Sequence, residues 1–219
     1  MPVQPKWERR GQLVLVRHGE SQFNASNTWT GITDVDLTPK GHQDAARMGQ
    51  LLADLRFDRV YTSCLRRAVQ TRDDLLGAHG STPSSLYKTA ALNERDYGEL
   101  TGLDKAAVAH RVGESAYKDI RRGFDAVIPN GESLRDVYER VVPWYLANVV
   151  PRLMAWQTVL IVGHGNSDRA LRKYVERVSD AAVANLEMDF DKVYIYDIEP
   201  DGHCHGTPQV RTLGSVDET

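Results

Sequence analysis

The chain has 219 residues, of which 41% are hydrophobic, so it is long enough to bury a sizeable core. Its 27 basic and 30 acidic side chains nearly balance, which argues against general nucleic-acid binding. Residues 1–12 are polar and charged, and no apolar run reaches the length of a bilayer span, so we expect neither a signal peptide nor a membrane segment. Two cysteines do not form a disulfide framework, and a cytoplasmic location is the simpler expectation.

Short apolar runs that are typical of strands alternate along the chain with helical patterns. The predicted strands cover Leu13–Val16, Arg59–Ser63, Thr158–Val162 and Lys192–Ile198. The predicted helices begin at Thr38, which serves as N-cap before Pro39, and then cover Leu65–Leu76, Ser133–Val150 and Asn166–Val178. This alternation predicts a single α/β domain over residues 1–219, with a mostly parallel central sheet flanked by helices.

The polar stretch over residues 79–122 interrupts this alternation. Its sequence predicts an irregular insertion with one short helix at Lys105–Val112. Long irregular segments in compact domains are usually functional, so we place this insertion near the active site.

Two predicted strands end in the same kind of turn, at Arg17-His18-Gly19-Glu20 and at Gly163-His164-Gly165-Asn166. Ligands of parallel sheets bind beyond the carboxyl ends of strands. We expect each glycine to let backbone N–H groups approach a ligand, and Arg17 to match a phosphate with its planar fork. One His-Gly pair is more often structural, but two such turns favour a phosphate pocket with a histidine at its floor.

Several ordered blocks carry a family resemblance. They read LVLVRHGESQFN (13–24), WTGITDVDLTPK (29–40), YTSCLRRAVQT (61–71), LNERDYGELTGLDK (92–105), RRGF (121–124) and GHGNSDRAL (163–171). This pattern resembles the histidine phosphatase superfamily and, within it, the cofactor-dependent phosphoglycerate mutases. The RHGE turn alone is typical of the whole superfamily, whereas LNERDYGELTGLDK and RRGF are more specific to the mutase branch.

The resemblance implies a catalytic role for five residues. His18 is the nucleophile that carries the phosphoryl group, and Arg17 and Arg67 neutralise its charge without a metal ion. His164, most usefully as the cation, binds the transferring oxygens. Glu94 is the general acid and base that moves the proton of the leaving or attacking hydroxyl.

Ten further residues are implied to bind the anionic substrate. They are Ser21, Asn24, Thr30, Gly31, Tyr97, Lys105, Arg121, Arg122, Gly165 and Asn166. The number of basic and polar groups beyond the phosphate pocket suggests a ligand with a second anionic end.

The implied activity is that of an isomerase of glycolysis and gluconeogenesis, which interconverts 3-phosphoglycerate and 2-phosphoglycerate. Its phosphohistidine at His18 is primed by 2,3-bisphosphoglycerate. The alternative is a histidine phosphatase, in which water accepts the phosphoryl group, and a third hypothesis is a phospholigand-binding module without catalysis. The partner is a small phosphorylated molecule, with neither nucleic acid nor membrane, and the oligomeric state stays open.

Some residues have structural alternatives. Arg66 is predicted to be a solvated surface charge, because on a helix it points about 100° away from Arg67. Glu94 could instead form a structural ion pair with Arg95 or Arg67. His203-Cys204-His205 suggests a metal cluster, but its Asp/Gly/Pro-rich surroundings favour a turn, and we predict no metal site.

The sequence also departs from the family pattern. The long insert after RRGF is missing, Asp168 stands where leucine is common, and Asn185–Phe190 replaces an Ile-Pro-Thr-Gly-like segment. The chain also stops soon after Leu213-Gly214, where relatives continue into a tail over the active site. We therefore expect a shorter-lived phosphoenzyme and a larger ratio of phosphatase to mutase activity than in tailed relatives.

Overall fold

A computed structural model describes residues 10–214, which form one six-stranded sheet with helices on both faces. The strands are β1 (Gly11–Arg17), β2 (Arg59–Thr62), β3 (Ser85–Lys88), β4 (Thr158–Gly163), β5 (Lys192–Ile198) and β6 (Gln209–Thr212). Their order is β3-β2-β4-β1-β5-β6. The first four are mutually parallel, whereas β5 and β6 run antiparallel to their neighbours. The predicted α/β class and mostly parallel sheet are confirmed.

Eight α-helices surround the sheet in the described part of the chain. They are α1 (Gln22–Ala25), α2 (Pro39–Leu51), α3 (Arg66–His79), α4 (Lys105–Val112), α5 (Glu114–Arg122), α6 (Leu134–Asn148), α7 (Val150–Met154) and α8 (Gly165–Val175). The hydroxyl of Thr38 caps α2 and Pro39 is its first residue, as predicted. Within residues 10–214, no helix is long and apolar enough to cross a membrane.

Alternate residues of the central strand β1 face opposite layers, as the period of two in a strand requires. Leu13 and Leu15 pack beneath the layer that contains α6, α7 and α8. Val14 and Val16 pack beneath α2 and α3. Because both faces are covered, β1 is apolar throughout Leu13–Val16, and this apolar run ends at Arg17.

The insertion over residues 79–122 is more ordered than its sequence suggested. It contains β3, α4 and α5, and α4 coincides with the predicted helix at Lys105–Val112. A separate apolar cluster, centred on Trp29 and Tyr97, anchors it against the rest of the protein. The predicted consequence of a short C-terminal tail concerns residues 215–219, which lie outside the described residues.

Candidate active site

The carboxyl ends of β1 and β4 bring the two His-Gly turns together. Arg17 pairs with Gly163 in the parallel register, and the rings of His18 and His164 lie 4.9 Å apart between centroids. A cavity of about 430 Å³ opens at this edge of the sheet. All but two of the fifteen predicted site residues line it, and the two exceptions are Ser21 and His164.

His18 is buried at the floor of the cavity. Its Nδ1 lies 2.6 Å from the carbonyl oxygen of Gly19. Because a carbonyl can only accept, Nδ1 carries the ring proton and Nε2 keeps its lone pair. Burial, Arg67 and Arg17 hold the pKa of His18 well below its ordinary value, so the ring is neutral at pH 7. This arrangement leaves Nε2 with the lone pair that a nucleophile requires.

His164 lies fully buried behind His18. Its Nε2 is 2.7 Å from the hydroxyl of Ser63, which follows β2, and its Nδ1 has no partner among the described residues. Burial, together with Arg67 and other neighbouring rings and guanidinium groups, holds the pKa of His164 well below its ordinary value. These neighbours favour a neutral His164 ring in the free protein, and a cationic His164 beside a transferring phosphoryl group stays a prediction.

Arg67 and Arg17 supply positive charge beside His18. Arg67 is fully buried on α3 and donates to the carbonyl oxygens of Thr33 at 2.8 Å and Gly31 at 2.9 Å. Burial lowers the pKa of Arg67 to about 10, which still leaves it cationic at pH 7. The Nε atoms of both arginines are buried without a partner in the described region, and both side chains line the cavity.

Arg66 behaves as predicted. Its side chain is exposed at the start of α3 and pairs with the carboxylates of Asp36 at 3.0 Å and Asp34 at 3.6 Å. It stays outside the cavity lining, so the choice of Arg67 over Arg66 agrees with the structure.

Glu94 is buried at the N-terminus of α8. Its Oε1 accepts from the backbone N–H of Asn166 at 3.2 Å and from the Asn166 amide at 3.0 Å. Its Oε2 lies 3.6 Å from the place where a Cβ on Gly165 would stand, and so faces the cavity beside Arg17. The Arg95 backbone N–H also donates to Oε1, at 2.7 Å, whereas the Arg95 guanidinium donates to the carbonyl of Ile120. No ion pair between a side chain and Glu94 forms within residues 10–214. The alternative of a structural ion pair is not supported.

The two glycines of the turns have different functions. A Cβ on Gly19 would lie 2.5 Å from the carbonyl oxygen of Gly41, and the Gly19 N–H already donates to the hydroxyl of Thr71 at 2.9 Å. A Cβ on Gly165 would meet nothing closer than 3.6 Å. The expected approach of backbone to ligand is therefore wrong for Gly19, which is required for packing, and is available at Gly165.

The insertion contributes a second group of cations to the cavity. Lys105 begins α4, and Arg121 and Arg122 end α5. Burial and the neighbouring Arg121 lower the pKa of Lys105. Arg122 already has a partner, because its two terminal nitrogens donate hydrogen bonds to the carboxylate of Glu187, at 2.6 and 2.9 Å.

The remaining predicted residues divide between lining and support. Tyr97, Asn24, Thr30 and Gly31 line the cavity, and the hydroxyl of Tyr97 accepts from the Asn166 amide at 2.8 Å. Ser21 is instead buried as the N-cap of α1, where its hydroxyl donates to Asn24 Oδ1 at 2.7 Å. Ser21 therefore orients Asn24 rather than lining the cavity.

Sequence reasoning missed several residues of the site. Arg169 is buried in α8 and donates to Asn166 Oδ1 at 2.8 Å; its spacing of three residues from Asn166 on a helix was an available signal. Phe190 covers Arg17, with its ring centroid 3.7 Å from the guanidinium carbon. No motif signalled Phe190, because it lies in the segment that departs from the family pattern.

The chain is similar to known proteins over most of its length. Residues 13–206 match the model of the histidine phosphatase superfamily (branch 1). A protein of Bartonella quintana named 2,3-bisphosphoglycerate-dependent phosphoglycerate mutase is 44% identical over 191 residues, which cover 86% of this chain and 93% of the relative. A protein of the same name from Corynebacterium glutamicum is 38% identical, with 88% of each chain covered.

Solved structures share the fold. The protein YhfR of Bacillus stearothermophilus superimposes with a TM-score of 0.76 at 26% identity, over 94% of this chain and 98% of its own. A structure titled mycobacterial hydrolase 1 gives a TM-score of 0.78 at 22% identity, over 94% of this chain and all of the other. The chain therefore belongs to the histidine phosphatase superfamily, and its sequence similarity places it in the family of the 2,3-bisphosphoglycerate-dependent phosphoglycerate mutases.

Proposed function

We propose that this protein is a phosphoglycerate mutase that interconverts 3-phosphoglycerate and 2-phosphoglycerate through a phosphohistidine at His18. The observation that carries the proposal is the state of His18, whose neutral ring is tethered through Nδ1 in a cavity that Arg17 and Arg67 also line. The relatives named as mutases at about 40% identity support the same assignment.

In the first transfer, Nε2 of His18 attacks phosphorus and the bond from phosphorus to the ester oxygen breaks. Arg17 and Arg67 hold the equatorial oxygens, whose charge spreads in the transition state. The charged guanidinium groups of Arg17 and Arg67 fit this role, because both side chains line the cavity beside His18.

His164 assists from behind the reacting ring. Ser63 Oγ accepts from the Leu65 N–H at 3.1 Å and has its own proton to donate to Nε2 of His164. We assign the proton of the neutral His164 ring to Nδ1, which is then a donor without a partner within residues 10–214. A phosphoryl group nearby would raise the pKa of His164 and strengthen this donor.

Glu94 completes the transfer by handling the hydroxyl proton. Its Oε2 faces the cavity, while Asn166 fixes Oε1 through two hydrogen bonds. When phospho-His18 gives its phosphoryl group to a substrate hydroxyl, Glu94 accepts that proton, and in the reverse step it returns the proton to the leaving oxygen.

We also propose that 2,3-bisphosphoglycerate is the donor that primes His18, without a metal ion. Lys105, Arg121 and Arg122 offer cations for a second anionic group, which a phosphoglycerate has as its carboxylate and the bisphosphate as a second phosphate. Arginines take the charge-neutralising role that metal ions take in other phosphotransferases.

A coupled assay of 2-phosphoglycerate formation tests this function. Mutase turnover should require catalytic amounts of added 2,3-bisphosphoglycerate and should be unchanged after prolonged chelation. Activity without the donor, or activity lost on chelation and restored by a divalent metal, would contradict the proposal.

A phosphatase is the second candidate, and one observation favours it. Arg122 is held by Glu187, so the free protein offers fewer cations to a second anionic group than the sequence suggested. Release of inorganic phosphate from 2,3-bisphosphoglycerate faster than mutase turnover would identify hydrolysis as the main activity.

A further inference from the structure

The cavity wall at residues 186–188 is fixed by arginines of the site. Each of three successive backbone carbonyls accepts a hydrogen bond from one arginine. The carbonyl of residue 186 accepts from Arg169 Nε at 3.0 Å, that of residue 187 from Arg172 Nη1 at 2.6 Å, and that of residue 188 from Arg17 Nη1 at 2.6 Å. Hydrogen bonds to charged donors are stronger than neutral ones, so this backbone is held in place. Any movement of Glu187 is therefore a rotation of its side chain.

From this wall, the side chain of Glu187 contacts Arg122 at the end of α5. Both of its carboxylate oxygens accept from Arg122, at 2.6 and 2.9 Å, in the parallel geometry that carboxylates and guanidinium groups prefer. The side chain of Arg122 is only 17% exposed, whereas that of Glu187 is 55% exposed. The arginine is thus held in the lining, and its partner is free to leave towards solvent.

This ion pair occupies one of the three cations, with Lys105 and Arg121, that line the cavity and could bind a second anionic group. A carboxylate of the ligand can use the fork of Arg122 only after Glu187 has rotated away, and it then meets the negative charge of Glu187 nearby. A ligand whose other end is neutral can bind without displacing Glu187 from Arg122.

We infer that Glu187 determines specificity by competing with the ligand's second anionic group for Arg122. The inference rests on the proposed function, since it concerns how the same cavity accepts a phosphoglycerate. It assigns a role to a residue of the segment that departs from the family pattern. The affinity for ligands with a second anion is lower than the cations of the cavity alone would give.

The test compares two ligands that differ in one group. 3-Phosphoglycerate has a carboxylate where glycerol 3-phosphate has a hydroxymethyl group. Calorimetric titrations use a His18→Ala background, so that no phosphoryl transfer takes place. Glu187→Gln should lower the Kd of 3-phosphoglycerate by about five- to tenfold and change that of glycerol 3-phosphate by less than about twofold.

Two controls separate this role from a general change in charge. Asp189→Asn removes another carboxylate of the lining, one that pairs with Lys192 at 2.6 Å, and should shift the 3-phosphoglycerate Kd by less than about twofold. In an Arg122→Ala background, Glu187→Gln should have little further effect, because the contested cation is gone.

Three results would overturn the inference. They are an unchanged or weaker affinity for 3-phosphoglycerate in Glu187→Gln, an equal gain for both ligands, or an equal gain in Asp189→Asn. These titrations need no turnover. Failure of the proposed function would appear separately, as absent mutase activity in the wild-type protein.

Discussion

Two turns of almost the same sequence end neighbouring strands, yet their histidines are held by opposite ring nitrogens. His18 is tethered through Nδ1 to a backbone carbonyl, which leaves Nε2 free at the cavity. His164 is tethered through Nε2 to the hydroxyl of Ser63, which leaves Nδ1 free in the buried layer behind. A backbone carbonyl fixes the tautomer of the first ring, whereas a hydroxyl can also donate to the second. Similar motifs thus leave opposite ring nitrogens without a partner, which is why we propose a nucleophile in one turn and a hydrogen-bond donor in the other.

Replacing each histidine by alanine should have the largest effects on activity, and these effects should differ between the two turns. His18→Ala should reduce mutase and phosphatase rates by at least about 10⁴-fold, because the carrier of the phosphoryl group is lost. His164→Ala should cost about 10²- to 10³-fold, as expected for one transition-state donor. Labelling with a radioactive phosphodonor should disappear only in His18→Ala. Equal labelling of both variants would contradict the assignment.

Glu94 accepts hydrogen bonds at the N-terminus of α8, the helix that follows the second turn. Its replacement should slow phosphoryl transfer strongly with some phosphodonors and only slightly with others. Glu94→Gln should slow transfer to and from phosphoglycerate hydroxyls by about 10²- to 10⁴-fold, because a proton must move with the oxygen. Hydrolysis of p-nitrophenyl phosphate should fall much less, since nitrophenolate leaves without a proton. Steady-state rates on both donors check this, and equal losses would mean that Glu94 mainly positions Asn166.

The glycines of the two turns offer a matched pair of variants. Gly19→Ala should destabilise the protein by about 1–3 kcal/mol or prevent folding, because its Cβ would lie 2.5 Å from a carbonyl oxygen. Gly165→Ala should fold normally but lose about 10- to 100-fold in activity, because its methyl group stands between Arg17 and Glu94. Thermal unfolding and rates of both variants decide this. A fully active Gly165→Ala would show that the ligand does not approach that glycine.

The smallest expected effect is on the pH dependence of stability, and it comes from a carboxyl group near one of the turns. Glu20 accepts from the Thr38 hydroxyl at 2.9 Å, whereas Asp168 is fully buried with neither oxygen partnered within residues 10–214. Burial, with a smaller contribution from Glu94, raises the pKa of Asp168 well above its ordinary value. The folded state therefore holds a proton that the unfolded state releases, and stability falls as pH rises from about 4 towards the folded pKa.

Asp168→Asn should remove that loss of stability. Urea unfolding should show little difference from wild type near pH 4 and a gain of about 1–2 kcal/mol near pH 8, because the amide stays neutral throughout. Parallel pH profiles for the two proteins would mean that Asp168 is ionised and paired in the folded state.

The strands and the principal site residues could be predicted because their signals are local. Continuous apolar runs located β1 and β4, and the polar residues that end them located His18 and His164. Strands β3 and β6 could not be predicted, since both lie at sheet edges and are mostly exposed. Edge strands need not carry the apolar pattern of buried ones.

Some interactions in the site could not be predicted from the sequence, because they join residues that lie far apart in the chain. Ser63 meets His164 across 101 positions, and Arg122 meets Glu187 across 65. Neither pair has a spacing rule, because the sheet order and the path of residues 186–190 create them. The neutral state of His164 likewise follows from burial and from arginines on other elements.

The central claim is that Nε2 of His18 carries the phosphoryl group, and its position on the ring can be measured directly. The wild-type protein is loaded with 2,3-bisphosphoglycerate, denatured in alkali to preserve phosphohistidine, and examined by ³¹P NMR and peptide mass spectrometry. We predict one phosphohistidine, located at His18 and substituted at Nε2, because Nδ1 is bound to the carbonyl of Gly19. Phosphate on Nδ1, on His164 or on no histidine would contradict this account.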